Sequence, residues 1–199
     1  MATQGRSHNR AMKIHFSSIA VVGAGAMGQG IAQIAAQAGS HVWLLDSKPG
    51  AADKAKQAIQ QQWAKLAAKG RVTEEQVQAW SQQLQSANTL ADLGSCQLVI
   101  EAVVERLEVK QALFAELERT LPANVVWATN TSSLSVTAIA AALQQPERLA
   151  GFHFFNPVPL MKVVEVVAGL KTDPALCQAL TAYAREMGHT PVQAQDTPG

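Results

Sequence analysis

The chain has 199 residues, 48% of them apolar and 16% charged, which suits one globular domain with a sizeable core and excludes a disordered polar chain. The formal net charge is +1 without a run of Lys or Arg, and no apolar stretch approaches the ~18 residues of a membrane span, so neither nucleic-acid nor membrane partners are expected. Two distant cysteines, Cys96 and Cys177, argue against a disulfide scaffold or a cysteine zinc site and fit a reducing compartment. We expect a cytoplasmic protein without a metal site.

The chain begins with a polar segment, which is followed by apolar runs and a glycine-rich turn. Residues 1–17 lack the apolar core of a secretory signal, and we predict a flexible arm there, followed by one domain over 18–199. Ser18–Val22 is a short apolar run, typical of a strand buried on both faces. A glycine-rich turn at Gly23–Gly28, an amphipathic helix and a second apolar run at His41–Asp46 follow. Together they predict a βαβ unit.

The next segment predicts two helices joined by a short turn. The Ala/Gln/Lys-rich stretch 51–68 has the pattern of a long helix, which Gly70 ends. Thr73 is a candidate N-cap, with Gln76 at the capping-box position of a second helix that runs to about Gln85. The simplest doubly wound sheet does not need such a hairpin, so we interpret it as an insertion.

Strands and helices alternate over the remainder of the chain. Strands are predicted at 96–103, 125–130, 151–155 and 162–167, with a further one at the TPVQA segment, and helices at 107–121, 136–143 and 174–187. Alternation of this kind indicates a mostly parallel sheet covered by helices on both faces. The fold class predicted is therefore α/β, a Rossmann-type doubly wound sheet with a helical-hairpin insertion.

The glycine turn has the G-x-G-x-x-G spacing of a dinucleotide site. Gly23 permits the tight turn, Gly25 lets the backbone approach a pyrophosphate, and Gly28 lets helix and strand pack closely. Ala26 and Met27 lie between the last two glycines, at the start of the helix. The pattern alone is weak, but here it follows a strand and opens a helix, as the motif requires.

Asp46 ends the second predicted strand and bears on the choice of cofactor. Its carboxylate can accept hydrogen bonds from ribose hydroxyls and would repel a 2′-phosphate, which favours NAD over NADP. The nearby Lys48 could accommodate such a phosphate. The alternative for Asp46 is a carboxylate that only caps its own loop.

Two polar residues interrupt apolar predicted strands: His153 in GFHFF and Glu165 in VVEVV. A lone carboxylate in a buried strand is costly unless it is paired, and neighbouring strands could bring the two together. A carboxylate on one ring nitrogen would fix the imidazole tautomer and leave the other nitrogen as a base. The alternatives are a core histidine with satisfied hydrogen bonds and a glutamate that faces water.

The segment from Asn130 to Ser133 follows a predicted strand at its carboxyl end, where open α/β sheets bind ligands. A hydroxyl there, such as that of Ser132, could hydrogen-bond a substrate oxygen. For Ser133 or Ser135 we prefer the alternative of an N-cap for the next helix. No G-x-S-x-G motif is present, which disfavours a hydrolase.

The blocks GAGAMGQGIAQIAAQAG, LVIEAVVERLEVKQALFAEL, TNTSSLSVTAIA, PERLAGFHFFNPVPLMKVVEVV and DTPG resemble the NAD-binding domain of the 3-hydroxyacyl-CoA dehydrogenases, over 19–199. NTSS and HFFNPVPLMKVVEVV are the most specific of them. Within the family the chain looks most similar to the bacterial 3-hydroxyadipyl-CoA and 3-hydroxybutyryl-CoA dehydrogenases of phenylacetate degradation. The resemblance implies NAD-dependent, reversible oxidation of an L-3-hydroxyacyl-CoA to the 3-ketoacyl-CoA, in that pathway or in fatty-acid β-oxidation.

The resemblance also implies roles for individual residues. His153 would be the base, Glu165 would orient it, and Ser132 would contact the substrate oxygen. Residues implied to lie by the cofactor, besides the glycine turn and Asp46, are Glu105, Lys110, Asn130 and Asn156. The hairpin is expected to contact the CoA moiety, with Lys69 as its phosphate-binding candidate.

In the family, DTPG leads into a helical domain that closes the cleft and forms a homodimer, and this domain is absent from the 199 residues. We therefore expect the chain to bind NAD but to turn over poorly alone. Two other functions stay open: a dehydrogenase of a free hydroxy acid, which would not need the hairpin, and a non-catalytic NAD-binding protein on the same fold.

Overall fold

The computed structural model describes residues 15–196. Within that range the chain forms eight strands, which are β1 (Ser18–Val22), β2 (His41–Leu45), β3 (Leu84–Ser86), β4 (Leu98–Glu101), β5 (Val126–Thr129), β6 (Leu149–Phe154), β7 (Val163–Ala168) and β8 (Thr190–Gln195). The α-helices of the same range are α1 (Ala26–Gln37), α2 (Ala51–Ala68), α3 (Glu74–Gln83), α4 (Leu107–Thr120), α5 (Val136–Ala140) and α6 (Pro174–Glu186). Short 3₁₀ turns occur at Leu90–Leu93 and Pro146–Arg148.

All eight strands join one sheet in the order β3-β2-β1-β4-β5-β6-β7-β8. The first six are parallel, which is the Rossmann order, and β7 then runs antiparallel to β6 with β8 parallel to β7. The predicted fold class is confirmed. The chain direction across the sheet switches between β1 and β4, so the crevice at their carboxyl ends is where such a sheet binds a ligand.

Two apolar cores lie on the two faces of the sheet, because successive strand residues point to opposite sides. In β1, Ile19 and Val21 join the core beneath α1, α2 and α6, whereas Ala20 and Val22 join the core beneath α4 and α5. Residues of both sets are buried, which is why the central strands are apolar throughout.

The predicted hairpin is present and forms the crossover from β2 to β3. Helix α2 has the predicted bounds, and Thr73 caps α3 through a complete capping box with Gln76. Helix α3 ends two residues before the predicted Gln85, because Leu84–Ser86 pairs with β2 as a short edge strand. A strand of three residues is too short to leave a period in the sequence.

The predicted strands at 96–103, 125–130, 151–155 and 162–167 are each present with bounds shifted by one or two residues. Two other differences have an identifiable cause. Helix α5 ends at Ala140 rather than at residue 143, since Leu143 N donates to Ala140 O in a tighter turn. The domain also begins before Ser18: Phe16 is buried, and its ring packs edge-on against Tyr183 with centroids 5.4 Å apart. The rest of the proposed arm, residues 1–14, and residues 197–199 lie outside the described residues. In the described range, no helix combines the length and apolarity needed to cross a membrane.

Candidate active site

Two clefts open at the carboxyl edge of the sheet, on either side of the Ala102–Val103 backbone that follows β4. The first cleft, of about 340 Å³, is lined by Met27, Ala102, Val103, Glu105, Lys110, Asn130, Ser132, His153, Phe154, Phe155 and Asn156. The second is lined by Val22, Gly23, Ala24, Gly25, Asp46, Ser47, Ala102, Val103, Val104, Val109 and Leu113. The glycine turn therefore borders the second cleft, and the candidate catalytic residues His153 and Ser132 border the first.

The glycine turn leaves the space that a pyrophosphate needs. Gly23 has φ +112°, and a Cβ there would lie 2.4 Å from Ala102 O, while a Cβ on Gly28 would lie 1.6 Å from Gly23 O. A Cβ on Gly25 would meet nothing within 4 Å, so the absent side chain leaves open space before α1. Helix α1 begins there without a side-chain cap, and its first N–H groups, at Ala26 and the next residues, have no partner within the helix. Such a helix start favours an anion, so the residues present fit a dinucleotide.

The Asp46 carboxylate joins the glycine turn to the loop that follows β2, beside the second cleft. Its Oδ2 accepts a hydrogen bond from Ala24 N and its Oδ1 accepts one from Lys48 N, each at 2.8 Å. The loop-capping alternative is thus correct as far as it goes. A carboxylate accepts at about four positions, however, so both oxygens can still accept from ribose hydroxyls.

His153 and Glu165 are direct partners in the antiparallel register of β6 and β7. The Nδ1 of His153 lies 3.2 Å from Glu165 Oε1, and the two side chains are 18% and 32% exposed. The ring of Phe155 covers the imidazole, with centroids 4.5 Å apart. Because Nδ1 faces the carboxylate, Nε2 is the nitrogen left for a ligand.

Glu105 anchors the loop that carries Ser132. Its Oε2 accepts hydrogen bonds from Ser132 N at 2.8 Å and Ser132 Oγ at 2.9 Å, and its Oε1 accepts from Thr131 Oγ1 at 2.8 Å. Burial opposes ionisation of Glu105, but the bonds from Ser132 and Thr131 and the Lys110 charge outweigh it and lower its pKa to about 2. The hydroxyl of Ser132 has one hydrogen, so it can donate either to this carboxylate or to a substrate oxygen.

Lys110 lines the first cleft but is almost fully inside the protein, with 2% of its side chain exposed. Its Nζ donates to Glu101 Oε2 at 2.5 Å and to Val103 O at 3.3 Å, and it lies 3.3 Å from Glu105 Oε1. Sequence reasoning missed Glu101. Its signal was a lone carboxylate in the apolar run LVIEAV, the same signal that marked Glu165.

The remaining cofactor candidates occupy different positions around the first cleft. Asn130 Oδ1 accepts from Phe154 N at 2.8 Å and so joins the ends of β5 and β6. Asn156 is exposed just after β6, and Met27 lies in the first turn of α1 across the cleft. Ser135 is the N-cap of α5, accepting from Ala138 N, which is the structural role preferred for it.

Lys69 lines neither cleft. It is exposed at the C-cap of α2, in the turn of the hairpin. A groove between α2 and α3 runs beside that turn and is lined by Ala64, Ala67, Ala68, Glu74, Glu75, Val77, Gln78 and Ser81. A role for Lys69 toward CoA stays a prediction.

Fold and site together define a Rossmann-type dinucleotide-binding domain with a paired histidine and glutamate at its cleft. Residues 18–197 match the family model of the 3-hydroxyacyl-CoA dehydrogenase, NAD binding domain. The chain belongs to this family, and its cofactor is NAD.

Individual relatives agree with the family. The chain is 43% identical to the 3-hydroxyadipyl-CoA dehydrogenase of Escherichia coli over 94% of its own length and 40% of the relative's. It is 41% identical to a probable 3-hydroxybutyryl-CoA dehydrogenase of Bacillus subtilis, over 94% of this chain and 65% of the relative. The solved 3-hydroxybutyryl-CoA dehydrogenase of Escherichia coli superposes with a TM-score of 0.91 at 42% identity, over 94% of this chain and 39% of that one. The chain thus spans between two fifths and two thirds of the length of these relatives.

Proposed function

We propose that this domain serves the NAD-dependent, reversible oxidation of an L-3-hydroxyacyl-CoA to the 3-ketoacyl-CoA, with His153 as the base. The observation that carries the proposal is the contact between His153 and Glu165 at the cleft beside the glycine turn. Proton abstraction from a hydroxyl needs a base in that position, and a carboxylate partner both orients the ring and stabilises the imidazolium that forms.

The chain's own side chains divide the work of the oxidation. Bound NAD⁺ supplies the acceptor for the hydride that leaves the carbinol carbon. Ser132 contacts the substrate oxygen: its hydroxyl would turn from Glu105 Oε2 and donate a hydrogen bond to that oxygen, which leaves the substrate's own proton free for His153. The Nε2 of His153 takes the hydroxyl proton as the C–O bond becomes a carbonyl, and Glu165 carries the opposite charge to the resulting imidazolium. In the reverse direction the imidazolium returns that proton.

The cofactor would lie across both clefts. We assign its pyrophosphate to the start of α1 at Gly25, and its adenosine ribose to Asp46, which favours NAD over NADP. The nicotinamide end then falls in the first cleft, bordered by Asn156 and Glu105. The steric openness at Gly25 and the remaining lone pairs of Asp46 support this assignment.

The acyl-CoA class is proposed from the hairpin and from the relatives. A dehydrogenase of a free hydroxy acid has no need of α2 and α3, whereas the relatives named above act on CoA thioesters by their names. We propose 3-hydroxyadipyl-CoA as the particular substrate, after the Escherichia coli relative, and Lys69 as a contact of a CoA phosphate. A non-catalytic NAD-binding role is disfavoured because His153 and Ser132 line one cleft and Glu165 contacts His153.

The test replaces His153 in a chain extended by the segment that follows in longer members of the family. His153→Ala should lower the rate of acetoacetyl-CoA reduction by about two to four powers of ten, the usual contribution of a positioned acid–base group. Glu165→Gln should slow turnover and alter its pH profile, because the imidazolium loses its counter-charge.

NADH titration supplies the control for both variants. Neither side chain belongs to the glycine turn, so the NADH dissociation constant should barely change. A near-normal rate for His153→Ala would refute the role of base. Comparing acetoacetyl-CoA with free acetoacetate as substrate separates the CoA enzyme from the hydroxy-acid alternative.

The surroundings of the domain are proposals of the same kind. We propose that the whole protein is a homodimer formed through a helical domain that follows residue 199, and that it works in the cytoplasm. The location is supported by the two cysteines, which are both free and buried.

A further inference from the structure

We infer that Glu101 is a positioning residue for the cofactor. With Lys110 it forms a clamp, in which the two side chains bind the backbone N–H and C=O of Val103 between the two clefts. Glu101 is the last residue of β4, beside the crevice between β1 and β4 where the strand order reverses. Its role is separate from the proton transfer assigned to His153, and it depends only on NAD binding.

Both oxygens of the Glu101 carboxylate accept hydrogen bonds. Oε2 accepts from Lys110 Nζ and, at 2.8 Å, from Val103 N, while Oε1 accepts from Thr129 Oγ1 at 2.6 Å. Glu101 and Thr129 are fully buried. A carboxylate there has no access to water, so it persists only because each of these donors reaches it.

The side chains of Glu101 and Lys110 together bind both backbone polar groups of Val103. Glu101 accepts from its N–H, and Lys110 Nζ donates to its C=O at 3.3 Å. A loop residue at the carboxyl end of a strand is ordinarily free to shift. Here two buried charges fix both polar groups of one residue.

That residue is part of the surface on which the cofactor would lie. Ala102 and Val103 line both clefts, so a dinucleotide that occupies them must pass over this backbone. The glycine turn packs on the same segment, since the missing Cβ of Gly23 faces Ala102 O at 2.4 Å. Displacing the clamp would therefore disturb the turn and the floor of both clefts together.

Two substitutions separate the reach of Glu101 from its charge. Glu101→Asp keeps the charge but retracts the carboxylate by one methylene, so it cannot meet Val103 N and Lys110 Nζ at once. Glu101→Gln keeps the reach, with its carbonyl toward Val103 N and its amide toward Thr129 Oγ1. Titrated with NADH in the 199-residue chain, the Asp variant should bind about tenfold more weakly, the loss of roughly one hydrogen bond's worth of positioning, and the Gln variant within about threefold of the unmutated chain.

A matched control removes another buried hydrogen bond at the opposite edge of the sheet. Tyr183→Phe loses the 2.6 Å contact with Ser40 Oγ, so it should lower the melting temperature while leaving NADH affinity unchanged. All titrations are run where circular dichroism gives the native signal. The reverse order, with Gln weak and Asp normal, would mean that only charge balance matters and overturns the clamp, as would two variants that bind like the unmutated chain.

Hydrogen exchange tests the clamp even if the Asp variant does not fold. In the unmutated chain the Val103 amide should exchange at least about a hundredfold more slowly than in an unfolded peptide, despite its place in a loop. Fast exchange at Val103 in the unmutated chain would by itself overturn the inference.

Discussion

Carboxylates in this domain bind backbone N–H groups as well as, or instead of, cations. Asp46 accepts from the amides of Ala24 and Lys48, and Glu105 accepts from the amide of Ser132. Each bond orders a loop before any ligand arrives, so less conformational entropy is lost on binding. A substitution at such a residue therefore changes the order of the loop as well as any contact that the side chain makes with a ligand.

Asp46 gives the prediction that belongs to this scale. NADH should bind more tightly than NADPH, because the carboxylate accepts from ribose hydroxyls and repels a 2′-phosphate. Asp46→Ala should narrow the difference between the two dissociation constants, measured by isothermal titration. Lys48→Ala is the matched variant, since removing a cation that could pair with a 2′-phosphate should widen the difference between the two dissociation constants. Equal constants for both cofactors in the unmutated chain would contradict the assignment.

At the scale of elements, the predictable parts are those with strong local signals. The glycine turn, α2 and the capping box at Thr73 were predicted because each depends on neighbours in sequence. The strand β3 and the 3₁₀ turns were not, since elements of three or four residues carry no period. In the site, a polar residue in an apolar strand marked His153, but the partners of Glu101 depend on a strand register that a single sequence does not supply.

Helix α5 is fixed by a residue that is distant in sequence, Asp196. Its Oδ1 accepts from Val136 N at 2.7 Å and its Oδ2 from Thr137 N at 2.9 Å. The end of β8 is thereby joined to the helix that follows the Ser132 loop. Burial opposes ionisation of Asp196, but the bonds from Thr137, Val136 and Ser135 outweigh it and lower its pKa below the usual 3.8.

Asp196→Ala should lower the free energy of unfolding by about 1 kcal/mol, the usual cost of losing a helix cap. The folded-state pKa is lowered, so the contribution of Asp196 is complete above pH 3.8 and is lost as pH falls through the lower folded value. The stability difference from the unmutated chain, followed by denaturant titration, should therefore shrink below that pH. Asp173→Ala uncaps α6 instead. It should lower the free energy of unfolding by a similar amount but leave amide hydrogen exchange at residues 134–138 unchanged. A difference that is constant with pH would contradict the role of the charge.

At the scale of the whole molecule, an exposed apolar face lies beside the pair of His153 and Glu165. The outer face of β7 and β8 continues from Glu165 to Val163 and Val192, which are 40% and 46% exposed. Leu160 and Met161, just before β7, are exposed as well. An apolar face beside a candidate catalytic pair is the kind of surface that another domain or subunit covers.

The 199-residue chain should bind NADH but reduce acetoacetyl-CoA poorly. Its glycine turn, Asp46 and the residues of the first cleft are all present, whereas His153 keeps 18% of its side chain exposed at that cleft. In an active site, losing one hydrogen-bond donor to the charge that develops in the transition state costs ~10²–10³ in rate. Looser positioning of the substrate lowers the rate further. Steady-state assays beside a chain extended as in longer family members check the prediction, and comparable rates would mean that the added domain is dispensable. Gel filtration would detect self-association through the exposed face.

The antiparallel register of β6 and β7 has a consequence for how the site tolerates change over evolution. His153 and Glu165 are matched by the backbone ladder between their strands, not by the length of the segment that connects them. Insertions or deletions in that connector can accumulate without separating the two side chains, whereas a one-residue slip of either strand would turn one of them to the opposite face. The spacing of 12 residues is thus incidental, and relatives with longer or shorter connectors can preserve the same pair.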